Sequence, residues 1–521
     1  MTEIINASIK KAVKGTSLVL SGTLVSGLLL ISTKILVVRY ITKEELGLYT
    51  LSIAVASILG LIATLGIHEG IARYVSLLLG KNESNKADTL SLTAIRTTLL
   101  SGISAGLLLY LFADVLSLYV FHSAELAHPL KIVSLSVPFI VIVQVLNAIL
   151  RGHGVITSKI YFIDVGIPLL FFILLCGVLI WTLPFLSILY AYVLSIILAC
   201  ISIISYGYRK IGFNPFQLKD GSRGDDLLRF SLPLLIGIIM VLVMSWTDTL
   251  MLGRYVGAKT VGTYDVSASL AKLLYLPLAA LEFVFLPIAG ALYSQNQFGE
   301  LKRTYQVLTK WIFLATAPIF IVLFLFPETI INIFFGSRFF DAVVPLRILA
   351  IGFFLHAVMG PNGILMVVVG MAKELTAANT TGVVLNVLLN YLLIKQFAYG
   401  IIGASLASVG TYLVLNAIAS ITIYKKNGIQ PFTTQYLKAI FAVAVTSLLL
   451  YIVSMQITMI FWILPVYFIL FISGCTVILF LTGGIDREDV LLLEAVFEKI
   501  GLEVRWLKKR LKQNERRHNL T

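Results

Sequence analysis

About fourteen stretches of this chain run for roughly 18 to 25 residues with almost no charge, the length a helix needs to cross about 30 Å of hydrocarbon. Inside a bilayer no water satisfies backbone N–H and C=O groups, so each stretch must close its hydrogen bonds internally and form a helix. The stretches are continuously apolar rather than alternating, which sets aside an outer-membrane barrel. Only 13% of the 521 residues are charged and the mean hydropathy is +0.96, outside the range of soluble multidomain chains. The expected fold class is an all-α polytopic membrane protein with crossings near 15–38, 46–70, 91–112, 131–150, 160–182, 185–206, 230–253, 262–292, 307–327, 346–369, 376–395, 400–423, 438–456 and 459–481.

The first twelve crossings form two sets of six. Arg39 to Tyr49, RYITKEELGLY, and Arg254 to Tyr264, RYVGAKTVGTY, share Arg-Tyr, six residues, Gly, one residue and Tyr, and each closes the first crossing of its set. The same offset of 215 carries Ser52 onto Ser267, Leu59 onto Leu274 and Leu77 onto Leu292. After one inserted residue the register continues through Leu130/Leu346, Lys131/Arg347, Ile132/Ile348 and Gly154/Gly370. Both sets start on the same side, so they read as parallel repeats about an axis along the membrane normal, with a site between the lobes. The expected organisation is a first lobe over 1–206, a cytoplasmic linker over 207–229, a second lobe over 230–424, an extra helix pair over 425–483 and a basic amphipathic tail over 484–521.

The net charge of +14 does not point to nucleic acid, because about 29 of the 40 lysines and arginines fall on one side of these crossings. That is the positive-inside pattern, so both termini are expected in the cytoplasm of a multi-pass cell-membrane protein. In the tail, Leu493, Phe497, Ile500, Val504, Leu507 and Leu511 recur at helical spacing among basic residues, which suits the anionic leaflet surface. Cys176, Cys200 and Cys475 lie inside apolar runs at unrelated spacings and suggest neither disulfides nor a metal site. Gly257-Ala258-Lys259-Thr260 resembles the end of a Walker A loop, but Ala258 stands where glycine is required. There is no HExxH pair and no external loop beyond about 20 residues, so transport is favoured over catalysis and no resident metal or cofactor is expected.

A charge at mid-bilayer costs about 2.5–3.5 kcal/mol, which makes the few charges within crossings informative. Lys34 and Asp248 lie at nearly equivalent depths in the two lobes, because Lys34 aligns with Thr249. They are candidates for an outer gate pair, with snorkelling of Lys34 to the headgroups as the alternative. Asn386 and Asn390, one turn apart, share the depth of Asp248 and offer with it a coupling site for Na⁺ or H⁺, or else interhelical hydrogen bonds. Glu69 and Arg73 are spaced to pair on one helix face, and Arg73 with Arg96 can meet an anion at the cytoplasmic mouth. Lys272 and Glu282 lie deep in the eighth crossing, which Pro277 and Pro287 interrupt, as Pro361 interrupts the tenth. Lys272 is the strongest candidate for binding an anion in the cavity.

Arg39-Tyr40 to Gly47-Leu48-Tyr49, Gly70-Ile71-Ala72-Arg73-Tyr74, Asp248 to Tyr264, Leu346 to Leu349, and Asn386 to Asn390 followed by Gly400 to Ala404 together resemble the polysaccharide-biosynthesis flippases. These belong to the multidrug/oligosaccharidyl-lipid/polysaccharide exporter superfamily. The resemblance covers about residues 5 to 425, and the extra final pair is similar to that of fourteen-helix members, including lipid II flippases. It implies a two-lobed, MATE-like bundle that moves a lipid-pyrophosphate-linked oligosaccharide from the inner to the outer leaflet by alternating access. It further implies that cavity cations bind the pyrophosphate, for which Lys34, Arg73, Arg96 and Lys272 stand as candidates. Asp248, Asn386, Asn390 and Glu282 stand as coupling-ion or gate candidates. The multidrug branch characteristically has an acidic residue in the first crossing, where this chain has Lys34. The expected partners are the lipid-linked oligosaccharide, membrane lipids and glycan-assembly enzymes. A cation-coupled exporter of small organic molecules and a membrane scaffold for sugar assembly are the alternative readings.

Overall fold

The computed structural model describes Gly22 and residues 25–155, 157–212, 225–454 and 463–484. Among them every regular element is a helix. Eleven helices are long and apolar enough to cross a membrane, and a twelfth is counted if the pair Ala124–Ser134 and Val137–Gly152, bent by 41°, is one span. The expected crossings at 15–38, 438–456 and 459–481 and the linker lie partly outside the described residues, and the tail from 485 lies wholly outside them. The protein is a multi-pass membrane protein.

The first repeat contains α1 (25–40), α2 (Lys43–Ala63), α3 (Ile67–Gly80), α4 (Ser84–Val115), α5 (Ala127–Ser134), α6 (Val137–Gly152), α7 (Gly166–Ile180) and α8 (Leu186–Ile211). The second contains α9 (Asp225–Tyr255), α10 (Ala258–Ala271), α11 (Leu276–Ser294), α12 (Phe298–Leu325), α13 (Pro327–Phe334), α14 (Val343–Val358), α15 (Asn362–Val368), α16 (Ala372–Asn390) and α17 (Gly400–Asn427). The extra pair is α18 (Thr434–Ser454) and α19 (Ile463–Leu481).

Local chemistry sets several of these boundaries. Thr42 and Glu45 form a capping box that starts α2: the Glu45 N–H donates to Thr42 Oγ1 at 3.2 Å and the Thr42 N–H to Glu45 Oε2 at 2.8 Å. Pro361 has no N–H to continue α14, and the chain restarts as α15 at Asn362. Lys272–Tyr275 is a short 3₁₀ segment between α10 and α11, with Pro277 in the first turn of α11.

The two copies of the sequence motif meet along α2 and α10. Lys259 Nζ lies 3.6 Å from Glu44 Oε1, and Thr50 Oγ1 donates to Asp265 Oδ2 at 3.0 Å. A Cβ on Gly47 would come within 1.7 Å of the Ala258 carbonyl oxygen, and one on Gly262 within 2.2 Å of the Lys43 carbonyl oxygen. Residues 44 and 259, 47 and 262, and 50 and 265 are each separated by the repeat offset of 215 that the Thr50–Asp265 bond spans. A residue that touches its own counterpart lies on a two-fold axis. Three such pairs at successive turns mean that α2 and α10 run parallel along it. Only glycine lets two backbones approach this closely, and without lipid-excluded hydrophobic drive such packing is a main source of helix association.

The described residues form two compact units. The first holds those up to Leu270, with Ile331–Leu349 and Thr376–Thr411. Its core includes Ile67, Ile71, Val75, Leu146, Ile149 and Ile203 from α3, α6 and α8. The second holds Ala271–Ile330, Ala350–Leu375 and those from Tyr412 onward. There Phe285, Tyr305, Leu365 and Ile423 join α11, α12, α15 and α17, while Phe313, Tyr436 and Phe471 join the extra pair to α12. The Tyr436 hydroxyl also donates to the Val358 carbonyl at 2.8 Å.

Gly262→Ala is expected to cost about 1–3 kcal/mol by forcing α2 and α10 apart, lowering the thermal unfolding midpoint in detergent. Gly27→Ala, whose Cβ meets nothing within 4 Å, should not lower it. Equal midpoints for the two variants would contradict the close crossing.

Candidate functional site

The shared Arg-Tyr pairs fasten one end of the first unit, each arginine reaching into the other repeat and each tyrosine contacting its own. Arg39 Nε donates to the Phe334 carbonyl at 3.0 Å, and Nη2 to the Ile333 carbonyl. Arg254 Nη1 donates to the carbonyls of Tyr119 and Val120, both at 2.5 Å. Both sets of acceptors are helix C-terminal carbonyls, which lack intrahelical donors and carry partial negative charge. One lies at the end of α13 and the other at the end of the π-helical extension Leu116–Val120 of α4. The tyrosines follow the same symmetry. The Tyr40 hydroxyl donates to the Leu183 carbonyl at 2.7 Å in the turn before α8. The Tyr255 ring packs edge-on against Tyr391, with Lys395 Nζ 5.5 Å from its centroid, just before α17. Lys43 pairs with Asp341 at 2.5 Å and Arg338 donates to the Val38 carbonyl.

Lys34 lies below this clasp and forms an ion pair with Asp265, not with Asp248 as expected. The partner differs because both α9 and α10 pack against the first repeat, and it is Asp265 in the middle of α10 that reaches Lys34 and Thr50, while Asp248 on α9 is taken up by Tyr264, Ser408 and Asn390. Asp265 was the missed residue. Its signal was a second carboxylate one position beyond the shared Tyr264, opposite Thr50 in the repeat register. The pair borders a cavity of about 260 Å³ lined by Leu30, Thr33, Tyr49, Phe171, Tyr192 and Trp246, among others. One ammonium and one carboxylate are therefore its ionic groups, within walls that are otherwise largely apolar.

Asp248 is buried in the corresponding place of the second repeat. Its Oδ2 accepts from the hydroxyls of Tyr264 and Ser408, both at 2.5 Å, and its Oδ1 from Asn390 Nδ2 at 2.7 Å. Asn390 also donates to the Asn386 carbonyl at 3.0 Å, and Asn386 Nδ2 to Thr411 Oγ1 at 3.4 Å. The structure thus brings together Asp248, Asn386 and Asn390. The Oδ1 atoms of both asparagines are buried and have no hydrogen-bond partner among the described residues. Those two amide oxygens and the carboxylate are hard oxygen donors of the kind that replace the hydration of an alkali cation. Tyr264 and Ser408 fall 215 and 216 positions after Tyr49 and Tyr192, which line the cavity of the first repeat.

The remaining candidates are dispersed. Glu69 lies beside His68, with Oε1 3.6 Å from Nε2, and does not pair with Arg73. The Arg73 guanidinium instead sits over the Phe230 ring, 5.4 Å from its centroid, because α9 packs against α3 and offers a π face. Arg96 is exposed on α4. Lys272 and Glu282 belong to the second unit, where Lys272 is exposed and Glu282 Oε2 accepts from the Tyr275 hydroxyl at 3.3 Å.

Many apolar helices carrying a motif repeated about a two-fold axis, with buried ionic groups within the membrane span, define a transporter-type membrane protein. Residues 36–344 match the profile of the family described as polysaccharide biosynthesis protein, and the chain belongs to that family. It is 23% identical over 432 residues to an uncharacterised membrane protein of Methanocaldococcus jannaschii, covering 78% of this chain and 82% of that one. It is 26% identical over 227 residues to a protein of Haloferax volcanii named "Probable low-salt glycan biosynthesis flippase Agl15", covering 43% of this chain and 47% of that one. Its fold is similar to that of the lipid II flippase MurJ in an inward closed conformation, with a TM-score of 0.71, 15% identity, and coverage of 88% of this chain and 97% of that one.

Asp265→Lys sets two ammonium groups against each other at the cavity. A loss of about 2 kcal/mol or more in stability is expected. Adding Lys34→Asp should recover most of that loss, as read by thermal unfolding of the single and double variants. A double variant no more stable than Asp265→Lys would mean that the pair contributes nothing.

Proposed function

We propose that the protein is a flippase that carries a lipid-pyrophosphate-linked oligosaccharide from the inner to the outer leaflet of the cell membrane by alternating access, with both termini in the cytoplasm. The observation that carries this reading is Lys34, an ammonium bordering an otherwise apolar cavity and held by a carboxylate from the other repeat. A pyrophosphate that reaches Lys34 competes with Asp265 for the same charge. Binding the anion and loosening the contact between repeats then become one event. The family assignment and the similarity to two proteins named as flippases support the same substrate class.

In this cycle the arginine clasp is the outer gate in its closed form. Opening it requires the carbonyls of Ile333, Phe334, Tyr119 and Val120 to exchange their guanidinium donors for water, each bond contributing about 1.5–3 kcal/mol. Lys272 supplies a second site for the pyrophosphate in the other unit. No covalent chemistry is involved, and the residues act by binding and exchange of partners. The Asp248 cluster is the coupling site. Na⁺ would be held by the Asp248 carboxylate with Asn386 and Asn390 Oδ1, or H⁺ by the carboxylate alone. Either ion brings one positive charge into the membrane field, worth about 2.3 kcal/mol per 100 mV. Glycan-assembly enzymes would supply the substrate at the inner leaflet and use it at the outer.

The test is leaflet exchange of a fluorescent polyprenyl-pyrophosphate oligosaccharide in proteoliposomes. The intact protein should catalyse exchange, and Lys272→Ala should slow it at least about tenfold, the loss of one charge-assisted contact. Absence of exchange, together with ion-driven uptake of a small organic cation, would replace the flippase with an exporter. In the same vesicles Asp248→Asn should remove the dependence of the rate on Na⁺ or on pH. If the intact protein is indifferent to Na⁺ and to a pH series, the coupling role of the cluster is wrong.

A further inference from the structure

We infer that Tyr275 and Glu282 in the second unit form a subsite for the first sugar of the transported lipid, the one attached directly to the pyrophosphate. The inference rests on the flippase reading and adds what that site recognises. Tyr275 is 38% exposed although it lies within a membrane-spanning stretch. One face of its ring is covered by His356, nearly parallel at 11° with centroids 5.9 Å apart. His356 is stacked in turn on Tyr412 at 4.9 Å, and Tyr412 packs on Phe353 at 5.2 Å. Asn416 Nδ2 at 2.8 Å from His356 Nδ1 fixes the imidazole in place. No ring covers the other face of Tyr275 among the described residues. The result is a backed aromatic platform, pre-ordered and open on one side.

Its surroundings decide what the open face meets. Glu282 lies twelve residues before the end of α11 at Ser294, about 18 Å along the helix, and is only partly exposed. An ionisable group at such depth faces a bundle interior or water rather than lipid. Tyr275 precedes it by seven residues, two helical turns, and donates its hydroxyl to the Glu282 carboxylate. The platform therefore shares the face of the carboxylate. Leu276, Phe283 and Leu286, each more than a third exposed, mark the neighbouring apolar face.

Lys272 completes the line. It begins the 3₁₀ segment that ends at Tyr275, and in such a helix residues three apart eclipse, about 6 Å apart along the axis. A sugar ring joined to pyrophosphate through its anomeric carbon spans about that distance. With a phosphate on Lys272, the apolar face of the sugar stacks on Tyr275 and its hydroxyls donate to Glu282. The same carboxylate disfavours a first sugar that is itself an anion, so the subsite selects neutral sugars such as hexoses and N-acetylhexosamines over uronic acids.

Binding to the full chain in lipid nanodiscs tests this with three probes: a polyprenyl pyrophosphate without sugar, the same lipid bearing one N-acetylglucosamine, and the same lipid bearing one glucuronic acid. The intact protein should bind the N-acetylglucosamine lipid about tenfold more tightly than the bare lipid. Tyr275→Ala should erase that preference while leaving affinity for the bare lipid unchanged, and Tyr275→Phe, which retains the ring, should keep most of it. Glu282→Gln should raise affinity for the glucuronic acid lipid. Equal affinity of the intact protein for the sugared and bare lipids, or a Tyr275→Ala variant that retains the preference, overturns the subsite and leaves the flippase reading standing. Failure of the intact protein to bind any of the three overturns both.

Discussion

The approach of α2 to α10 at Gly47 and Gly262 is the constraint from which the first unit follows. In a bilayer, apolar side chains are no better off against each other than against lipid, so helices associate through close packing and polar contacts. Removing two Cβ atoms lets the backbones touch in parallel along the repeat axis. That register places Glu44 against Lys259 one turn to one side and Thr50 against Asp265 one turn to the other. With Asp265 held there, Lys34 on α1 meets a carboxylate of the opposite repeat. The same register carries Arg39 and Arg254 to carbonyls that no helix donor can reach.

Symmetry of the clasp contrasts with asymmetry beneath it. Thr33 and Asp248 are counterparts in the two repeats, as are Tyr49 and Tyr264. In the first repeat Tyr49 lines an apolar cavity with Lys34 at its edge, while in the second Tyr264 donates to a carboxylate surrounded by three donors. Equivalent positions of the two repeats thus differ in kind, an open place with an ion pair at its edge in one and a closed cluster of hydrogen bonds about a carboxylate in the other.

Much of this was legible in the residues. The Arg-Tyr, Gly, Tyr skeleton stood out by its repetition, and its arginines and glycines make contacts that the other repeat makes in return, while Tyr49 and Tyr264 do not. The shared depth of Asp248 and Asn390 followed from counting along helices, and the two do touch. The pairing of Lys34 with Asp248 and of Glu69 with Arg73 did not survive. Depth and spacing say which residues share a level or a face, but not which neighbouring helix lies opposite. Phe230 took Arg73, and Asp265 took Lys34, through contacts between helices far apart in sequence.

The sequence by itself determined that the chain crosses a membrane many times as helices, which motif recurs at an offset of 215, and that Asp248 and Asn390 share a depth; it named Lys34 but not Asp265, and it placed Arg96 and Lys272 deeper than their exposure allows. Each of these depends on length, hydropathy and spacing, properties held within single segments. Tertiary structure alone decided the partners of Lys34, Arg39, Arg254 and Arg73, the cavity beside Lys34, and the aromatic stack behind Tyr275. These depend on the rotation and tilt of one helix against another, and in lipid that choice rests on backbone contacts and single hydrogen bonds, which no periodicity along one helix encodes.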